Sequence, residues 1–328
     1  MEQYFSMITG TGAAVPEKVL TNHDLAEMVD TSDEWIRTRT GIRERHIAEE
    51  GVGTSDLGAQ AAQEALAEAN LAAEELDMII FGTITPDMYF PAAACFLQEK
   101  IGANNATAFD IGAACCGFLY GLDLADSLIA AGRHSNILVV GGEILSCITD
   151  WSDRATCVLF GDGAGAAVVQ PADGTRGILG CFTKSDGRLR HLLNMPGGGS
   201  ILPPHKAAED SKAFYLRMEG REVFRYAISC MGEAASAIMN QNGVTSDDLA
   251  LFISHQANIR IIQAIAKRLK VPEEKVYVNL DKYGNTSAAS IPIALNEARK
   301  NGRIKPGDLV LMVAFGGGFT WASTLARI

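Results

Sequence analysis

Strand-like apolar runs at 77–81, 108–111, 137–140, 250–253, 276–279 and 309–312 alternate with longer stretches of small and apolar residues. That alternation predicts a layered α/β architecture rather than separate all-α and all-β parts. The loosest region is 187–210, where Gly197-Gly198-Gly199 and Pro203-Pro204 lie between charged flanks. It reads as a surface excursion that divides the chain into two halves, 1–185 and 186–328.

The halves resemble each other in their landmarks. In the first, a strand ends at Phe81, a second covers 108–111, Cys115 opens a small-residue helix, and the run 137–140 leads to Gly141-Gly142. In the second, a strand ends near Phe252, another begins at Val276, Asn285 opens a small-residue helix, and 309–312 leads to Gly316-Gly317-Gly318. Phe81 and Cys115 are 34 residues apart, and Phe252 and Asn285 are 33 apart. A duplicated β-α-β unit is expected; chance similarity of two α/β segments is the alternative. Duplication makes Cys115 and Asn285 equivalent points, each after a strand and at a helix start. His255 also follows a strand directly. Open α/β sheets bind ligands outside the carboxyl ends of their strands, so the three side chains should share one rim.

Each has a chemistry and a plainer alternative. Cys115, in Gly112-Ala-Ala-Cys-Cys-Gly-Phe118, is expected at a helix amino terminus, where the partial positive charge favours a thiolate able to attack an acyl carbon. It could equally be a small buried residue. Cys116 competes with it, because adjacent positions in a helix point about 100° apart and only one can face a pocket. His255 could donate a hydrogen bond to a developing oxyanion or act as a base, or be a structural histidine. Asn285 has no useful pKa and offers only an amide donor; a helix-capping role competes. The glycines 316–318 could present backbone N–H groups to a reacting oxygen, or make a tight turn. Gly161-Asp-Gly-Ala-Gly165 is expected to join strand to strand, whereas a phosphate loop must open a helix. Cys95, Cys147, Cys157, Cys181 and Cys230 are expected in the core.

Composition narrows the class. The 328 residues carry 28 Lys and Arg against 39 Asp and Glu, a net charge of −11, which argues against a nucleic-acid partner. Within that acidic chain the acid-free stretch 256–271 contains Arg260, Lys267, Arg268 and Lys270. It is either a solvated helix face or a docking patch for an acidic or phosphorylated partner. Residues 1–12 lack a basic stretch followed by an apolar one, and no apolar run approaches the roughly 20 residues of a membrane span. Seven scattered cysteines read as reduced thiols of a cytoplasmic protein, and no zinc-ligand spacing occurs.

Taken together, Ala-Ala-Cys-Cys-Gly-Phe, His-Gln-Ala-Asn-Ile-Arg, Tyr-Gly-Asn-Thr-Ser-Ala-Ala-Ser-Ile-Pro, Gly-Gly-Gly-Phe-Thr-Trp and the early Thr31-Ser-Asp-Glu-Trp-Ile-Arg-Thr-Arg-Thr-Gly-Ile-Arg-Glu-Arg-His46 resemble β-ketoacyl-acyl carrier protein synthase III. This is the initiating condensing enzyme of bacterial fatty acid synthesis. The resemblance runs nearly end to end. It implies the thiolase fold, a duplicated five-layered α-β-α-β-α arrangement, and it implies Cys115 rather than Cys116 as nucleophile. Cys116 stands where the family has alanine or serine.

The resemblance further implies a Cys115, His255, Asn285 set, with the N–H groups of Cys115 and Gly317 as oxyanion donors. Cys115 would take the acyl group of an acyl-CoA. Malonyl-acyl carrier protein would then lose CO₂ while His255 and Asn285 hydrogen-bond the enolate oxygen. Trp35 and Arg154 resemble the pair that sandwiches adenine, and Arg39 a coenzyme A phosphate contact. Arg225, Arg260, Lys267 and Arg268 would receive the carrier protein. Phe90 resembles a residue that lines the partner subunit's acyl pocket, so a homodimer is implied. Acyl-CoA enters as a substrate, and no cofactor or metal is expected. A related condensing enzyme of quinolone, polyketide or ketone synthesis is the competing reading.

Overall fold

The structure is a computed structural model that describes residues 5–207 and 211–328. Ten strands form two five-stranded sheets. The first contains β1 (Ser6–Ala14), β2 (Met78–Gly82), β3 (Thr107–Ile111), β4 (Ile137–Glu143) and β5 (Gly163–Pro171), in the order β1-β5-β4-β2-β3. The second contains β6 (Gly177–Ser185), β7 (Leu251–Ser254), β8 (Val276–Tyr277), β9 (Leu309–Gly316) and β10 (Thr320–Arg327), in the order β6-β10-β9-β7-β8. The pairings repeat as well. Two antiparallel pairs are followed by two parallel ones in each sheet. Each strand of the first sheet thus has its counterpart five strands later, as the landmarks predicted.

The helices repeat in the same way: α1 (Thr54–Ala69), α2 (Ala93–Ile101) and α3 (Gly117–Ala130), then α4 (Gly220–Gln241), α5 (Ile259–Leu269) and α6 (Ser290–Lys300). Their packing follows from strand periodicity, since successive side chains point to opposite faces. In β9, Val310 and Met312 turn inward and pack with Phe118 and Leu122 of α3 and Ile291 and Leu295 of α6. Leu311 and Val313 turn outward to Met231 and Ile238 of α4 and Ile265 of α5. In the first sheet Ile80 and Val139 face the same central helices, while Ile79, Phe81 and Val140 face α1 and α2. The result is a five-layered α-β-α-β-α stack. Strands covered on both faces explain why the apolar runs are continuous rather than alternating.

Three details differ from the sequence reading. First, β6 lies before residue 186 yet pairs with β10, so the chain changes sheets between Pro171 and Gly177 and not at 185. Second, residues 156–159 form turns rather than a strand and Phe160 makes a single parallel bridge to Asn285; 161–165 runs from them into β5. Third, the 187–210 excursion holds a 3₁₀ turn, Gly187–Leu192, and a strand Leu193–Asn194 that pairs with Arg217–Met218. Ala208, Glu209 and Asp210 lie outside the described residues.

The central helices bring the strand ends close together. A Cβ added at Gly316, the last residue of β9, would sit 2.7 Å from the backbone N of Cys115. A Cβ at Gly141 in β4 would sit 2.2 Å from the carbonyl O of Ala288. Each half's central strand thus abuts the turn that precedes the other half's central helix. Gly316→Ala is expected to destabilise the fold by about 1–3 kcal/mol through overpacking. Gly199→Ala, with nothing within 4 Å of its Cβ position, serves as the neutral comparison in thermal melts; equal melting of the two variants would contradict the close approach.

Candidate active site

Cys115 lies in the 3₁₀ turn Ala114–Cys116 that leads into α3. Its counterpart is the 3₁₀ turn Ser287–Ala289 leading into α6. Both turns begin with a non-glycine residue in the left-handed region, Ala114 at φ 47° and Ser287 at φ 50°. That match corrects the sequence alignment: the equivalent of Cys115 is Ala288, and Asn285 precedes it by three residues. Left-handed backbone at alanine and serine is costly and is characteristic of functional turns.

Cys115, His255, Asn285 and Gly317 all line one cavity of about 380 Å³. Cys116 does not line it and is fully buried in the core shared by the two sheets. The Cys116 N–H donates to Ala113 O at 3.0 Å. Among the described residues, no bond of the Cys115 or Gly317 N–H to a backbone carbonyl is found outside helix and strand.

The thiol itself departs from expectation. Burial pushes the Cys115 pKa up to about 12; the Ser287 hydroxyl pulls against this, and the Glu143 carboxylate adds to it. Its own turn is 3₁₀, and α3 begins only at Gly117. The resting form is therefore the thiol. Elsewhere Cys157 and Cys230 are buried as predicted, but Cys95 and Cys181 are half-buried and Cys147 is exposed.

His255 follows β7, is 4% exposed, and anchors its N–H on Val313 O of β9 at 2.7 Å. Burial lowers its pKa to about 4, so the ring is neutral near pH 7. Nδ1 is 2.7 Å from the Ser290 hydroxyl. That oxygen already accepts the Gln256 N–H at 3.2 Å, and its own hydrogen is directed to Nδ1 when the ring proton is on Nε2. Gln256 braces the loop by donating to Ser254 O and Tyr277 O and accepting from the N–H groups of Asn279 and Leu280.

Asn285 is held from both sides by the first half. Its N–H donates to Leu159 O at 2.8 Å, and its carbonyl accepts the Gly161 N–H at 3.1 Å. Side-chain Oδ1 accepts the Ser287 N–H at 3.0 Å. Asn285 is not the helix cap, a position that falls to Thr286; its Oδ1 closes a local turn on Ser287, which leaves Nδ2 as the donor. The glycine-rich 161–165 segment serves as this clamp and as the entry to β5.

Glu143, Ser287 and Ser290 do not stand out in the sequence. The serines stood inside a quoted motif; the signal for Glu143 was a carboxylate closing an otherwise apolar strand. Its Oε2 accepts from Thr83 Oγ1 at 3.1 Å, Ile84 N at 3.0 Å, Thr85 N at 3.1 Å and Thr85 Oγ1 at 2.6 Å, and its Oε1 from Ser287 Oγ at 3.1 Å. Burial raises its pKa to about 7 against these bonds. The apolar wall was also missed. Leu193 and Met195, within the region read as a surface excursion, line the cavity with Leu216, Met218, Phe224 and Met231.

None of the other predicted residues lines this cavity. Trp35 and Arg39 lie on the short helix Asp33–Thr40, whose end is tied to the cavity by the bond from Asn258 Nδ2 to Arg39 O at 3.1 Å. The Arg154 guanidinium stacks 4.3 Å above the Trp35 ring, and that of Arg39 is 5.7 Å away. Arg260 lies 5.6 Å from the ring of Phe224, a lining residue. Arg225 pairs with Glu222 at 2.6 Å. Arg268 lies flat on α4 at Gly232 and donates to Ser229 O at 3.4 Å, while Lys267 is exposed at the far end of α5. Phe90 does not line its own chain's cavity; it is 83% exposed beside Tyr89 at 71%. Among the described residues no group of three or more His, Cys, Asp or Glu could hold a metal ion.

Two family models, for the 3-oxoacyl-[acyl-carrier-protein] synthase III and its C-terminal region, match residues 109–187 and 239–328. The beta-ketoacyl-[acyl-carrier-protein] synthase III of Caldanaerobacter subterraneus subsp. tengcongensis is 52% identical over 326 residues, 99% of this chain and 98% of its own. The crystal structure of the 3-oxoacyl-[acyl-carrier-protein] synthase III of Aquifex aeolicus VF5 superposes with a TM-score of 0.92 at 50% identity, over 98% of this chain and 100% of that one. The priming β-ketosynthase of the R1128 polyketide pathway has a TM-score of 0.91 at 36% identity, over 99% and 97%. With motifs, duplicated sheets and full-length relatives in agreement, the chain belongs to the 3-oxoacyl-[acyl-carrier-protein] synthase III family of thiolase-fold condensing acyltransferases.

Proposed function

We propose that the chain condenses an acyl-CoA primer with malonyl-acyl carrier protein, with loss of CO₂, to give a β-ketoacyl-acyl carrier protein and so begin fatty acid synthesis. The observation that carries this reading is the convergence of one thiol and two neutral hydrogen-bond donors, drawn from both halves, on a single cavity. The 52% relative supports the fatty acid assignment over the polyketide one, whose representative is 36% identical.

Cys115 attacks the acyl-CoA thioester, and the Cys115 and Gly317 N–H groups hold the oxyanion. Coenzyme A leaves. The malonyl thioester oxygen then meets His255 Nε2–H and Asn285 Nδ2. As CO₂ departs, negative charge grows on that oxygen, and two neutral donors stabilise it without first giving up a proton. The enolate carbon attacks the Cys115 acyl group, the carbon–carbon bond forms, and the cysteine sulfur leaves. Acyl-CoA is consumed as substrate, and the reaction calls for no cofactor or metal.

Coenzyme A is recognised outside the cavity. Van der Waals contact needs about 3.5 Å on each face of a base, so the Trp35 and Arg154 groups, now 4.3 Å apart, must open by roughly 3 Å for adenine to lie between them. Arg39 at the end of the same helix takes a phosphate. Arg260 and Arg225, beside Phe224 and Tyr226 at the cavity rim, receive the acidic carrier protein, with Lys267 and Arg268 further along α5. The exposed Phe90 and Tyr89 suit burial against a second copy of the chain, with Phe90 reaching the partner's acyl pocket. Seven free thiols suit the cytoplasm; no helix among the described residues is long and apolar enough to cross a membrane.

Mass spectrometry after exposure to acetyl-CoA is expected to locate the acyl group on Cys115 in wild-type protein and in Cys116→Ala, and to find none in Cys115→Ala. An adduct on Cys116 would sink the assignment. In the same preparations Asn285→Asp should slow CO₂ release from malonyl-acyl carrier protein far more than acylation, because a carboxylate repels the enolate; equal losses would contradict the donor role. Trp35→Ala is expected to raise the KM for acyl-CoA with little change in kcat, and a drop in kcat alone would argue against adenine stacking. Sedimentation should give a dimer that Phe90→Asp weakens; a wild-type monomer would remove the partner's contribution to the pocket.

A further inference from the structure

Glu143 has no part in the reaction as described and does not line the cavity, yet it is fully buried at the end of β4 and joins the two halves. Its Oε2 accepts four donors from Thr83, Ile84 and Thr85 in the first half. Its Oε1 accepts the Ser287 hydroxyl of the second half at 3.1 Å. Ser287 holds the left-handed backbone conformation, φ 50°, which a serine adopts only where its surroundings enforce it. From that conformation its N–H reaches Asn285 Oδ1 at 3.0 Å. Hydrogen bonds thus run without a break from Thr83–Thr85 through Glu143 and Ser287 to the Asn285 amide.

The last of these bonds decides which atom of Asn285 meets the substrate. A side-chain amide turned over by 180° exchanges an acceptor oxygen for an NH₂ donor in nearly the same shape. A backbone N–H can hold only the oxygen, so the Ser287 amide selects the orientation that leaves Nδ2 for the thioester. The reversed amide would set an oxygen against the growing negative charge. A carboxylate with one oxygen saturated by four donors is a fixed, strong acceptor for the hydroxyl that anchors this turn.

We propose that Glu143 is a positioning residue for decarboxylation: by holding the Ser287 hydroxyl it keeps the turn in the conformation that orients the Asn285 amide. The proposal rests on the reading of Asn285 as a donor to the enolate oxygen. Glu143 acts through Ser287 and has no contact with the reacting atoms. Acylation draws on a different support, since Cys115 lies in the turn that abuts Gly316 of β9. The two half-reactions should therefore separate when the Glu143–Ser287 bond is lost.

The test compares CO₂ release from malonyl-acyl carrier protein with Cys115 acetylation by acetyl-CoA in the full-length protein. Ser287→Ala and Glu143→Ala are each expected to slow CO₂ release about 10-fold, the scale of one hydrogen bond to a charged group, and to leave acetylation close to wild type. Glu143→Gln should retain most of the rate, because its amide oxygen can take the four donors while its NH₂ bonds the Ser287 oxygen. In an Asn285→Ala background Ser287→Ala should cost nothing further, as the group it orients is gone. Undiminished CO₂ release in Ser287→Ala overturns the proposal, as does an equal fall in both half-reactions or a Ser287→Ala effect that persists without Asn285. If Glu143→Ala does not fold, the cycle of Ser287→Ala with Asn285→Ala decides between these outcomes. Unchanged CO₂ release in Asn285→Ala alone would instead overturn the donor reading, and the proposal with it.

Discussion

Two polypeptide backbones pass closer at the centre of this molecule than any side chain would permit. Gly316 ends β9 against the Cys115 amide, and Gly141 lies in β4 against the Ala288 carbonyl. Only glycine allows both approaches. The crosswise contact fixes the turns before α3 and α6 to the sheets of the opposite half, and with them every group at the cavity. Cys115 comes from the first half and His255 and Asn285 from the second, but each is held by the other's backbone or by the sheet it faces. Neither half owns a complete site.

That enclosure sets the electrostatics. His255 and Glu143 are buried and Cys115 is half-buried in an apolar cavity, none with an ion-pair partner among the described residues, so each is driven toward its neutral form. For His255 this is an advantage, because a neutral ring donates one hydrogen bond without carrying a charge. For Cys115 it is an obstacle, because a thiol is a poor nucleophile. The same low-polarity walls that strengthen the donors toward an enolate weaken the nucleophile.

Much of this was legible in the sequence. The apolar runs located the strands because both faces of each sheet are covered, and the paired landmarks disclosed the repeat. The alignment of Cys115 with Asn285 slipped by three residues because hydrophobic pattern positions strands and helices but carries no signal for the left-handed residue that starts each turn. Glu143 was passed over since one carboxylate after an apolar run looks like a strand end at the surface. Leu193 and Met195 were hidden in a glycine- and proline-rich stretch whose composition reads as solvent-exposed, though its short strand pairs with Arg217–Met218 to wall the cavity. The raised thiol pKa depends on how completely the chain closes over Cys115, a quantity that local sequence does not encode.

Asn285 is held by main-chain groups alone: the Leu159 carbonyl, the Gly161 amide and the Ser287 amide. Leu159 also lines the cavity with its side chain. A change of side chain at 159 can therefore resize the chamber without moving the amide that meets the substrate. Chemistry and selectivity are written in different parts of the same residues, one in backbone and the other in side chain. A lineage with this arrangement can drift from one primer to another by ordinary point substitutions while its reaction stays the same.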